Sequence, residues 1–193
     1  MITIHWLNMT EVLAAAEEFT TIYRLAFGPP PYHATEQEAQ MFARSLPSHS
    51  GRKGFLCAAA FDTINQRYVG IAYGYLSQPG QWWHDQIQHA LTPEQTFWLD
   101  DAFELVELAV IPAYQGQGIG SQLHDHLYTV LPQRHALLST IQADTVAYQL
   151  YCRRGWQVLR RGFYFSNINR PFMILGVHLP ATHTNFELLT ICS

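Results

Sequence analysis

The sequence predicts one domain of the α/β or α+β class, and three observations lead to this prediction. Segments with helical hydrophobic periodicity alternate along the chain with short apolar runs that are typical of strands. A glycine-rich turn in mid-chain joins one of these strands to a helix. The chain has 193 residues, of which 48% are hydrophobic, so it can bury a sizeable core and is not globally disordered.

The chain begins with a predicted strand and a predicted helix. Residues 2–6 form a short run that is typical of a strand. Asn8 and Glu11 have the spacing of a capping box, and the apolar residues after them recur at helical spacing as far as Phe27. Gly28 then ends this helix.

A proline run separates this helix from the next. The three prolines at positions 29–31 predict an extended linker, because each proline fixes its own φ angle and restricts the residue before it. Thr35 and Glu38 form a second capping box, which opens a helix that runs to about Ser45. Residues 51–54 carry two glycines and predict a turn.

The remaining elements follow from alternation, periodicity and turn residues. We predict strands at residues 55–61, 68–77, 103–110, 136–141, 156–165 and 172–179. We predict helices at residues 119–131 and 145–154. A further short helix begins at Pro93, because Thr92 is a cap residue and Gln95 completes a capping box.

Composition and charge argue against several classes of function. The net charge is −4 and the 11 basic residues form no run, so we expect no nucleic-acid partner. No apolar stretch reaches the roughly 18 residues of a membrane span, and the first residues lack the pattern of a signal peptide. The three cysteines are odd in number and far apart, which predicts free thiols in the cytoplasm and no disulfide framework.

The ten histidines do not predict a metal site. His124 and His126 are two positions apart, so a helix points them about 200° away from each other and they cannot bind one ion together. His84 and His89 have no cysteine at ligand spacing. We therefore expect no bound metal.

The most informative stretch is the turn at residues 115–121, with the sequence Gln-Gly-Gln-Gly-Ile-Gly-Ser. Glycines at alternate positions let the backbone turn tightly and leave its N–H groups unobstructed by side chains. The turn directly precedes a predicted helix, where successive amides and the helix dipole attract an anion. We therefore expect it to bind a diphosphate, and the alternative is a turn that binds nothing.

Two kinds of phosphate site compete for this turn. A dinucleotide fingerprint has its glycines directly after the strand, whereas residues 111–115 intervene here, and Ser121 stands in the third glycine position. No Gly-Lys-Ser or Gly-Lys-Thr follows, so a Walker A site is excluded. A nicotinamide oxidoreductase stays a distant alternative.

At these residues the chain resembles the GNAT superfamily of acyl-CoA-dependent N-acyltransferases. Gln115, Gly118 and Gly120 match the family's pyrophosphate signature, Arg/Gln-x-x-Gly-x-Gly/Ala. The preceding Leu-Ala-Val-x-Pro at 108–112 also fits, and a second family element matches residues 147–156, Ala-Tyr-Gln-Leu-Tyr-Cys-Arg-Arg-Gly-Trp. The resemblance is strong from about residue 100 to residue 160.

This resemblance implies a fold and a co-substrate. The fold is a mixed, mostly antiparallel twisted sheet of six to seven strands, flanked by helices, in which two central strands splay apart. The co-substrate is acetyl-CoA, and no metal is involved. The implied acetyl-CoA contacts are Leu108, Val110, Gln115, Gly116, Gln117, Gly118, Ile119, Gly120, Ser121 and Asp144. Many family members carry Asn where Asp144 stands.

Two residues match catalytic positions of the family. Glu104 corresponds to the strand glutamate that serves some members as general base, directly or through water, and the alternative is a solvated carboxylate at a strand end. Glu107 lies three positions later and, by the strand period of two, should face the opposite side. Tyr151 matches the tyrosine near the CoA sulfur that acts as general acid, and the alternative is a half-buried aromatic residue.

An aromatic-rich segment at about 79–101 separates two strands that family members join by a short connection. It holds three of the five tryptophans and runs into a group of acids. Aromatic faces beside carboxylates attract a cation. We predict that residues 81–99 form a lid over an amine-bearing substrate, opposite the proline run, with Tyr32, Trp83 and Glu107 as binding residues. The alternative is that the tryptophans only attach the segment to the body of the domain.

The resemblance implies an N-acetyltransferase that moves an acetyl group from acetyl-CoA directly to a primary amine of a small molecule or peptide. Residues 1–193 would form this single domain, a monomer or homodimer in the cytoplasm, with no membrane partner. The alternative from another class is a non-catalytic acyl-CoA-binding or regulatory module on the same fold. The sequence does not name the acceptor, because the fold serves antibiotics, polyamines, amino acids and peptide termini.

Overall fold

The computed structural model describes residues 1–165 and 170–179. Seven strands form one sheet in the order β1-β2-β3-β4-β5-β7-β6. The strands are β1 (Ile2–Trp6), β2 (Leu56–Asp62), β3 (Arg67–Leu76), β4 (Ala102–Val110), β5 (His135–Ile141), β6 (Gln157–Phe163) and β7 (Phe172–His178). Strands β4 and β5 pair parallel and the other neighbours pair antiparallel, so the expected mixed, mostly antiparallel sheet is confirmed.

Helices connect these strands and cover the sheet. The described part of the chain contains α1 (Met9–Ala14), α2 (Ala16–Phe27), α3 (Glu36–Ser50), α4 (Trp82–Ala90), α5 (Ile119–Tyr128) and α6 (Val146–Arg153), with short 3₁₀ helices at Pro93–Leu99 and Pro112–Tyr114. Among these helices, none is both long enough and apolar enough to span a bilayer.

The helices lie on both faces of the sheet. A Cβ atom at Gly70 of β3 would lie 3.1 Å from Leu123 of α5, whereas the ring of Tyr73, three positions later, packs near Phe42 of α3. Positions 70 and 73 of one strand point to opposite faces. Helix α5 therefore covers one face and helix α3 covers the other.

Strands β4 and β5 pair only near their first residues. The parallel ladder joins residues 102–104 to residues 135–137 and ends there. Beyond this point the two strands diverge and leave a gap in the centre of the sheet. The expected splay of two central strands is confirmed, and the gap positions the candidate site.

A β-bulge changes the facing of β4. Tyr73 pairs with Glu107 and Tyr75 pairs with Glu104, so three steps along β4 match two steps along β3. Because Tyr73 and Tyr75 share a face, Glu104 and Glu107 share it too. The expectation that the two glutamates face opposite sides is wrong, since a strict period of two holds only in a strand without a bulge. Gly74 permits the bulge, because a Cβ atom there would collide with the Glu104 carbonyl oxygen.

The predicted capping boxes at Asn8 and Thr35 are both present. The single helix expected after Asn8 is divided into α1 and α2, because Ala15 (φ −93°, ψ 9°) leaves the helical backbone conformation. Helix α3 runs beyond its predicted end, past Pro47 to Ser50. Ser50 is buried and its hydroxyl donates to the Pro47 carbonyl at 3.2 Å, which holds the last turn of the helix on the core.

The proline run forms a turn and not the expected extended linker. The amides of Tyr32 and His33 donate to the Pro29 carbonyl oxygen at 3.2 and 3.3 Å. The Ala34 amide then donates to the Phe27 carbonyl at 2.8 Å. The turn brings Tyr32 against the end of α2, where its ring centroid lies 5.0 Å from that of Phe27.

The segment between β3 and β4 contains more helix than expected, because α4 is an addition to the predicted elements. The predicted short helix at Pro93 is a 3₁₀ helix, and its capping box from Thr92 and Gln95 is present. Trp98 packs so closely on β7 that a Cβ atom at Gly176 would come within 2.9 Å of its ring. The segment is therefore attached to the second half of the sheet.

Candidate active site

The glycine-rich turn gives helix α5 an open N-terminus. Gly116 and Gly118 have φ angles of 74° and 80°, in the left-handed region that favours glycine. A Cβ atom at Gly116 would meet nothing within 4 Å, and one at Gly118 would meet only the side-chain Nε2 of Gln122, at 3.9 Å. The turn thus faces open space. The first amides of α5 have no acceptor within the helix, so they are available to an anion.

A cavity of about 660 Å³, here called the loop cavity, lies in front of this turn. Its lining includes nine of the ten residues predicted to bind the co-substrate: Leu108, Val110, Gln115, Gly116, Gly118, Ile119, Gly120, Ser121 and Asp144. Gln115 fixes the turn to β4, because its Nε2 donates to the Val110 carbonyl at 2.8 Å. The exception is Gln117, which is exposed and whose Nε2 donates to the Ala113 carbonyl at 3.2 Å.

The chemistry of the loop cavity fits a ligand that carries a diphosphate and a long arm. The open amides of α5 supply the anion site, and Arg153 of α6 lines the same cavity. Leu108 and Leu150 form an apolar wall beside this anion site. Asp144 is exposed at the edge, where the Gln149 side chain donates to its Oδ1 at 3.1 Å.

A second cavity of about 340 Å³, here called the aromatic cavity, lies in the gap between β4 and β5. Residues 105–108 and 138–141 form its two edges. Its aromatic lining consists of Tyr23, Phe27, Tyr32, Phe42, Tyr73, Trp82, Trp83, Tyr151, Phe165 and Phe172. The charged residues in its lining are Glu38, Glu107 and Arg170.

The two cavities meet. Phe27, Tyr32, Leu108 and Ala147 line both of them. A long ligand that lies in the loop cavity with its diphosphate on α5 would therefore present its far end to the aromatic cavity. Group transfer between two bound molecules requires such a junction, because the reacting atoms must come into contact.

Glu107 is the acidic group around which the aromatic cavity is built. It is half-buried, and burial raises the pKa of its carboxyl to about 8. Burial also raises the pKa of four tyrosines, and in each the negative charge of Glu107 adds to the rise: Tyr23, Tyr32, Tyr73 and Tyr151. These tyrosines come from α2, the proline turn, β3 and α6, so four elements converge on one carboxylate.

Glu104 is 3% exposed and lines neither the loop cavity nor the aromatic cavity. Its Oε1 accepts a bond from the Tyr75 hydroxyl at 3.4 Å, while its Oε2 has no hydrogen-bond partner among the described residues. Burial raises the pKa of Glu104 to about 8, although the positive charge of Arg52 opposes the rise. The role of Glu104 as general base stays a prediction, and the geometry gives access to Glu107 instead.

Tyr151 lines the aromatic cavity one helical turn after Ala147, which lies at the junction of the cavities. Thr145 caps this helix, because its Oγ1 accepts from the Tyr148 amide at 3.0 Å. The ring of Tyr151 is buried against Trp156, with 5.6 Å between centroids. Burial raises the pKa of Tyr151 well above the ordinary tyrosine value, so its hydroxyl stays protonated and can donate.

The predicted binding residues Tyr32, Trp83 and Glu107 lie together in the lining of the aromatic cavity. Trp83 is 9% exposed, and its indole N–H donates to the Ser139 hydroxyl at 3.0 Å. This bond joins α4 to β5, and both residues line the cavity. Trp83 is thus both a wall of the cavity and an attachment of the segment.

The other two tryptophans of the segment have different surroundings. Trp82 is 53% exposed, lines the aromatic cavity and packs on Phe165 with 5.3 Å between ring centroids. Trp98 packs on His178 with 4.2 Å between centroids and lies outside both cavities. Trp83 and Trp98 therefore attach the segment to the sheet, while the lid over an amine-bearing substrate stays a prediction.

Sequence reasoning missed an ion pair in the aromatic cavity. Arg170 donates through Nη2 to Glu38 Oε1 at 2.7 Å and through Nη1 to the Tyr32 carbonyl oxygen. Glu38 also completes the capping box of α3, a local role that gives no sign of a distant partner. The two charged residues are 132 positions apart, and no local pattern connects them.

Several of the described histidines take part in packing and hydrogen bonds. Within residues 1–165 and 170–179, no group of three side chains could hold a metal ion. His124 is buried, with its Nδ1 atom 2.9 Å from Asp125 Oδ1, and its Nε2 accepts from the Trp156 indole N–H at 3.1 Å.

A family model described as acetyltransferase (GNAT) family matches residues 14–156. A GCN5-like protein acetyltransferase of Mycobacterium tuberculosis is 36% identical over 156 residues, which cover 76% of this chain and 70% of that protein. Both matches extend far beyond the glycine-rich turn, so the similarity does not depend on this one motif.

Two solved structures share the fold. The ribosomal-protein-S18-alanine N-acetyltransferase of Escherichia coli has a TM-score of 0.63 at 19% identity, over 97% of this chain and 100% of that one. The NAA60 protein of Arabidopsis thaliana in complex with acetyl-CoA has a TM-score of 0.62 at 16% identity, over 93% of this chain and 99% of that one. At these identities the structures establish a common fold.

Proposed function

The chain belongs to the GNAT acetyltransferase family, and on this premise we propose that it is an N-acetyltransferase that moves the acetyl group of acetyl-CoA directly to a primary amine. The observation that carries this proposal is the junction of two cavities, one with an anion-binding turn and one with a half-buried carboxylate, Glu107. The related fold solved with acetyl-CoA supports the identity of the donor.

The loop cavity would hold the donor. The free amides at the start of α5, from Ile119 to Ser121, would bind the diphosphate, and the positive charge of Arg153 would add to their attraction. The backbone of Leu108 and Val110 on β4 would bind the pantetheine arm, because among the described residues no strand pairs with β4 on its β5 side beyond residue 104. Bound acetyl-CoA would supply a thioester at the junction of the cavities.

The aromatic cavity would hold the acceptor amine. An ammonium ion is attracted by aromatic faces and by a carboxylate, and both effects are stronger where water is excluded. Glu38 is already paired with Arg170, so Glu107 is the acidic group of the lining that is open to a new cation. An acceptor with one amine and an apolar or aromatic body would match this lining.

Transfer requires that the ammonium lose a proton, because the protonated nitrogen has no electron pair for attack. Glu107 would accept this proton in its ionised form. The nitrogen then forms a bond to the acetyl carbon while the carbon–sulfur bond breaks, and the Tyr151 hydroxyl gives its proton to the leaving sulfur. The nitrogen loses its second proton to the Tyr151 oxygen, which restores the hydroxyl. One ammonium and one thioester give one amide, one thiol and one proton.

The extent and location of the protein are part of this proposal. Residues 1–193 would form one domain, in which the segment at about 79–101 is an insertion that supplies one wall of the aromatic cavity. Free Cys57 and Cys152 in the described structure support a reducing compartment such as the cytoplasm.

Turnover tests the proposal directly. The protein is incubated with acetyl-CoA and a panel of small amines, amino acids and lysine peptides, and thiol release is measured together with the mass of the acceptor. We expect one free thiol for each acceptor that gains an acetyl group. Tight binding of acetyl-CoA without turnover of any acceptor would indicate the non-catalytic binding module instead.

A further inference from the structure

The lining of the aromatic cavity combines two acidic side chains with one basic side chain. The charged groups are Glu38, Glu107 and Arg170. His49 also lines the cavity, but burial and the positive charge of Arg52 lower the pKa of its ring to about 4, so the ring is uncharged at neutral pH. When both carboxylates are ionised, the described lining therefore has one unit of net negative charge, which is the charge that one ammonium ion would balance.

The Glu38 carboxylate is held at both of its oxygens. Oε1 accepts from Nη2 of Arg170 at 2.7 Å. Oε2 accepts from the amide and the hydroxyl of Thr35, at 2.7 and 3.0 Å, within the capping box of α3. The side chains of Arg170 and Glu38 are only 27% and 23% exposed, so water screens their charges incompletely. As long as Arg170 is in place, Glu38 offers no unpaired negative charge to a ligand.

Arg170 is also held by contacts other than Glu38. Its Nη1 donates to the Tyr32 carbonyl oxygen, and its guanidinium carbon lies 5.8 Å from the centroid of the Phe172 ring. The ion pair thus connects the proline turn, α3 and the start of β7 at the wall of the aromatic cavity. These contacts fix the guanidinium beside Glu38.

The ion pair lies close enough to Glu107 for one side chain to be influenced by all three charges. Burial raises the pKa of Tyr23, and the negative charges of Glu107 and Glu38 add to the rise. The positive charge of Arg170 opposes it. Tyr23 lines the cavity, and its ring stacks on Phe42 with 4.8 Å between centroids. A ligand beside Tyr23 would therefore be influenced by both carboxylates and by the guanidinium.

We propose that Arg170 sets the charge specificity of the acceptor site: by neutralising Glu38, it selects acceptors with one positive charge and disfavours diamines and polyamines. The inference rests on the proposed acetyl transfer and names its substrate class, primary monoamines with an apolar body. The single ammonium of such an acceptor would balance Glu107. A second ammonium inside the cavity would lose its hydration, would find no unpaired carboxylate in the described lining and would be repelled by Arg170.

The test compares straight-chain primary amines with the diamines of the same chain length, from butane to hexane. Acetylation is measured above pH 8, where Glu107 is ionised, and kcat/KM is expressed per amine group. The wild type should prefer each monoamine. Arg170→Met keeps an apolar side chain of similar length and removes the charge, so Glu38 becomes unpaired. The ratio of kcat/KM for diamine to that for monoamine should then rise about tenfold, because a partly buried carboxylate attracts the second ammonium.

Two further variants separate charge from structure. Glu38→Gln keeps a side chain that can complete the capping box but leaves Arg170 unpaired. It should lower kcat/KM for all the amines, and for the diamines most. The double variant Glu38→Gln/Arg170→Met removes both charges, so its ratio of diamine to monoamine should return to within about twofold of the wild type. A merely structural role of the pair would change kcat/KM for both acceptors by the same factor. Thermal melting establishes that each variant is folded.

Three results overturn the inference while the acetyl transfer stands. The wild type acetylates diamines as readily as monoamines, folded Arg170→Met keeps the wild-type ratio of kcat/KM, or the double variant keeps the raised ratio of Arg170→Met. If the wild type instead acetylates no amine and releases no thiol from acetyl-CoA with any acceptor, the proposed function and this inference fail together.

Discussion

Glu104 and Glu107 lie on the same face of strand β4, although three positions separate them in the chain. The bulge between them provides the extra residue that gives them a common face. Burial raises the pKa of both carboxyls to about 8, yet Glu107 lines the aromatic cavity and Glu104 does not. The two carboxyls therefore have similar pKa values but differ in their access to the aromatic cavity. A variant of one residue is thus a control for the same variant of the other.

The first prediction concerns the pH dependence of the rate. Below pH 8 the Glu107 carboxyl is mostly protonated and cannot accept a proton, so kcat/KM for the amine should rise with pH through about 8. Glu107→Gln should lower kcat/KM by about 10²–10⁴-fold and abolish that rise. In Glu104→Gln, kcat/KM for the amine should still rise with pH through about 8. The measurement is kcat/KM for the amine as a function of pH in the wild type and the two variants. If only Glu104→Gln loses the rise of kcat/KM with pH, Glu104 is the base.

The second prediction concerns the pH dependence of stability. The folded-state pKa of Glu104 is about 8, above its ordinary value of 4.5. Its contribution to stability is thus fully present below pH 4.5 and is lost as the pH rises through about 8, by an amount on the order of a few kcal/mol. Thermal melting of Glu104→Gln should show a smaller fall in Tm between these pH values. Equal slopes for variant and wild type would mean that Glu104 ionises normally.

The third prediction concerns the anion site. Gly118→Leu places a side chain in the loop cavity and should abolish CoA binding in calorimetry. Gly80→Leu is the matched control, since Gly80 also has a left-handed backbone (φ 87°) and a Cβ atom there would meet nothing within 4 Å. Both variants should lose about 1–3 kcal/mol of stability from backbone strain. Unchanged CoA affinity in Gly118→Leu would contradict the diphosphate assignment.

The fourth prediction concerns the leaving group. Tyr151→Phe removes one hydroxyl and little volume, so kcat should fall about 10²–10⁴-fold while CoA affinity is retained. Tyr148→Phe on the same helix is the control, because its hydroxyl accepts from Arg161 at 3.3 Å and it lines neither cavity of the described structure. If the two variants lose activity equally, the effect comes from packing of α6.

The fifth prediction concerns the wall of the aromatic cavity. Trp82→Ala should raise KM for the amine several-fold, by the roughly 1 kcal/mol of a cation–π contact, and leave KM for acetyl-CoA unchanged. Phe97→Ala is the control, since Phe97 is 45% exposed in the same segment and lies outside both cavities. A parallel rise of both KM values in Trp82→Ala would show that the segment serves only packing.

Local patterns in the sequence predicted much of the fold and of the loop cavity. The capping boxes at Asn8 and Thr35, and the left-handed glycines of the turn, depend on residues within a few positions of each other. Such short-range features follow physical rules that can be applied directly to a sequence. For the same reason nine of the ten predicted co-substrate residues line one cavity.

The aromatic cavity was harder to predict, because its geometry depends on distant residues. The bulge in β4 requires Gly74 on the neighbouring strand, and the pairing of Glu38 with Arg170 joins the first helical layer to the end of the sheet. His49 belongs to the last turns of α3, which lie beyond the predicted end near Ser45. In each case tertiary contacts overrode the local pattern.

The shared lining of the two cavities has a consequence for the design of ligands. Phe27, Tyr32, Leu108 and Ala147 touch both spaces. Any change that the bound donor makes in the affinity for the acceptor is matched by the same factor in the affinity for the donor. A single molecule that joins an amine to the thiol end of CoA would occupy both spaces at once. Once one half of this molecule is bound, the other half is present at a high effective concentration and loses no further translational freedom. The joined molecule should therefore bind far more tightly than the amine or CoA alone.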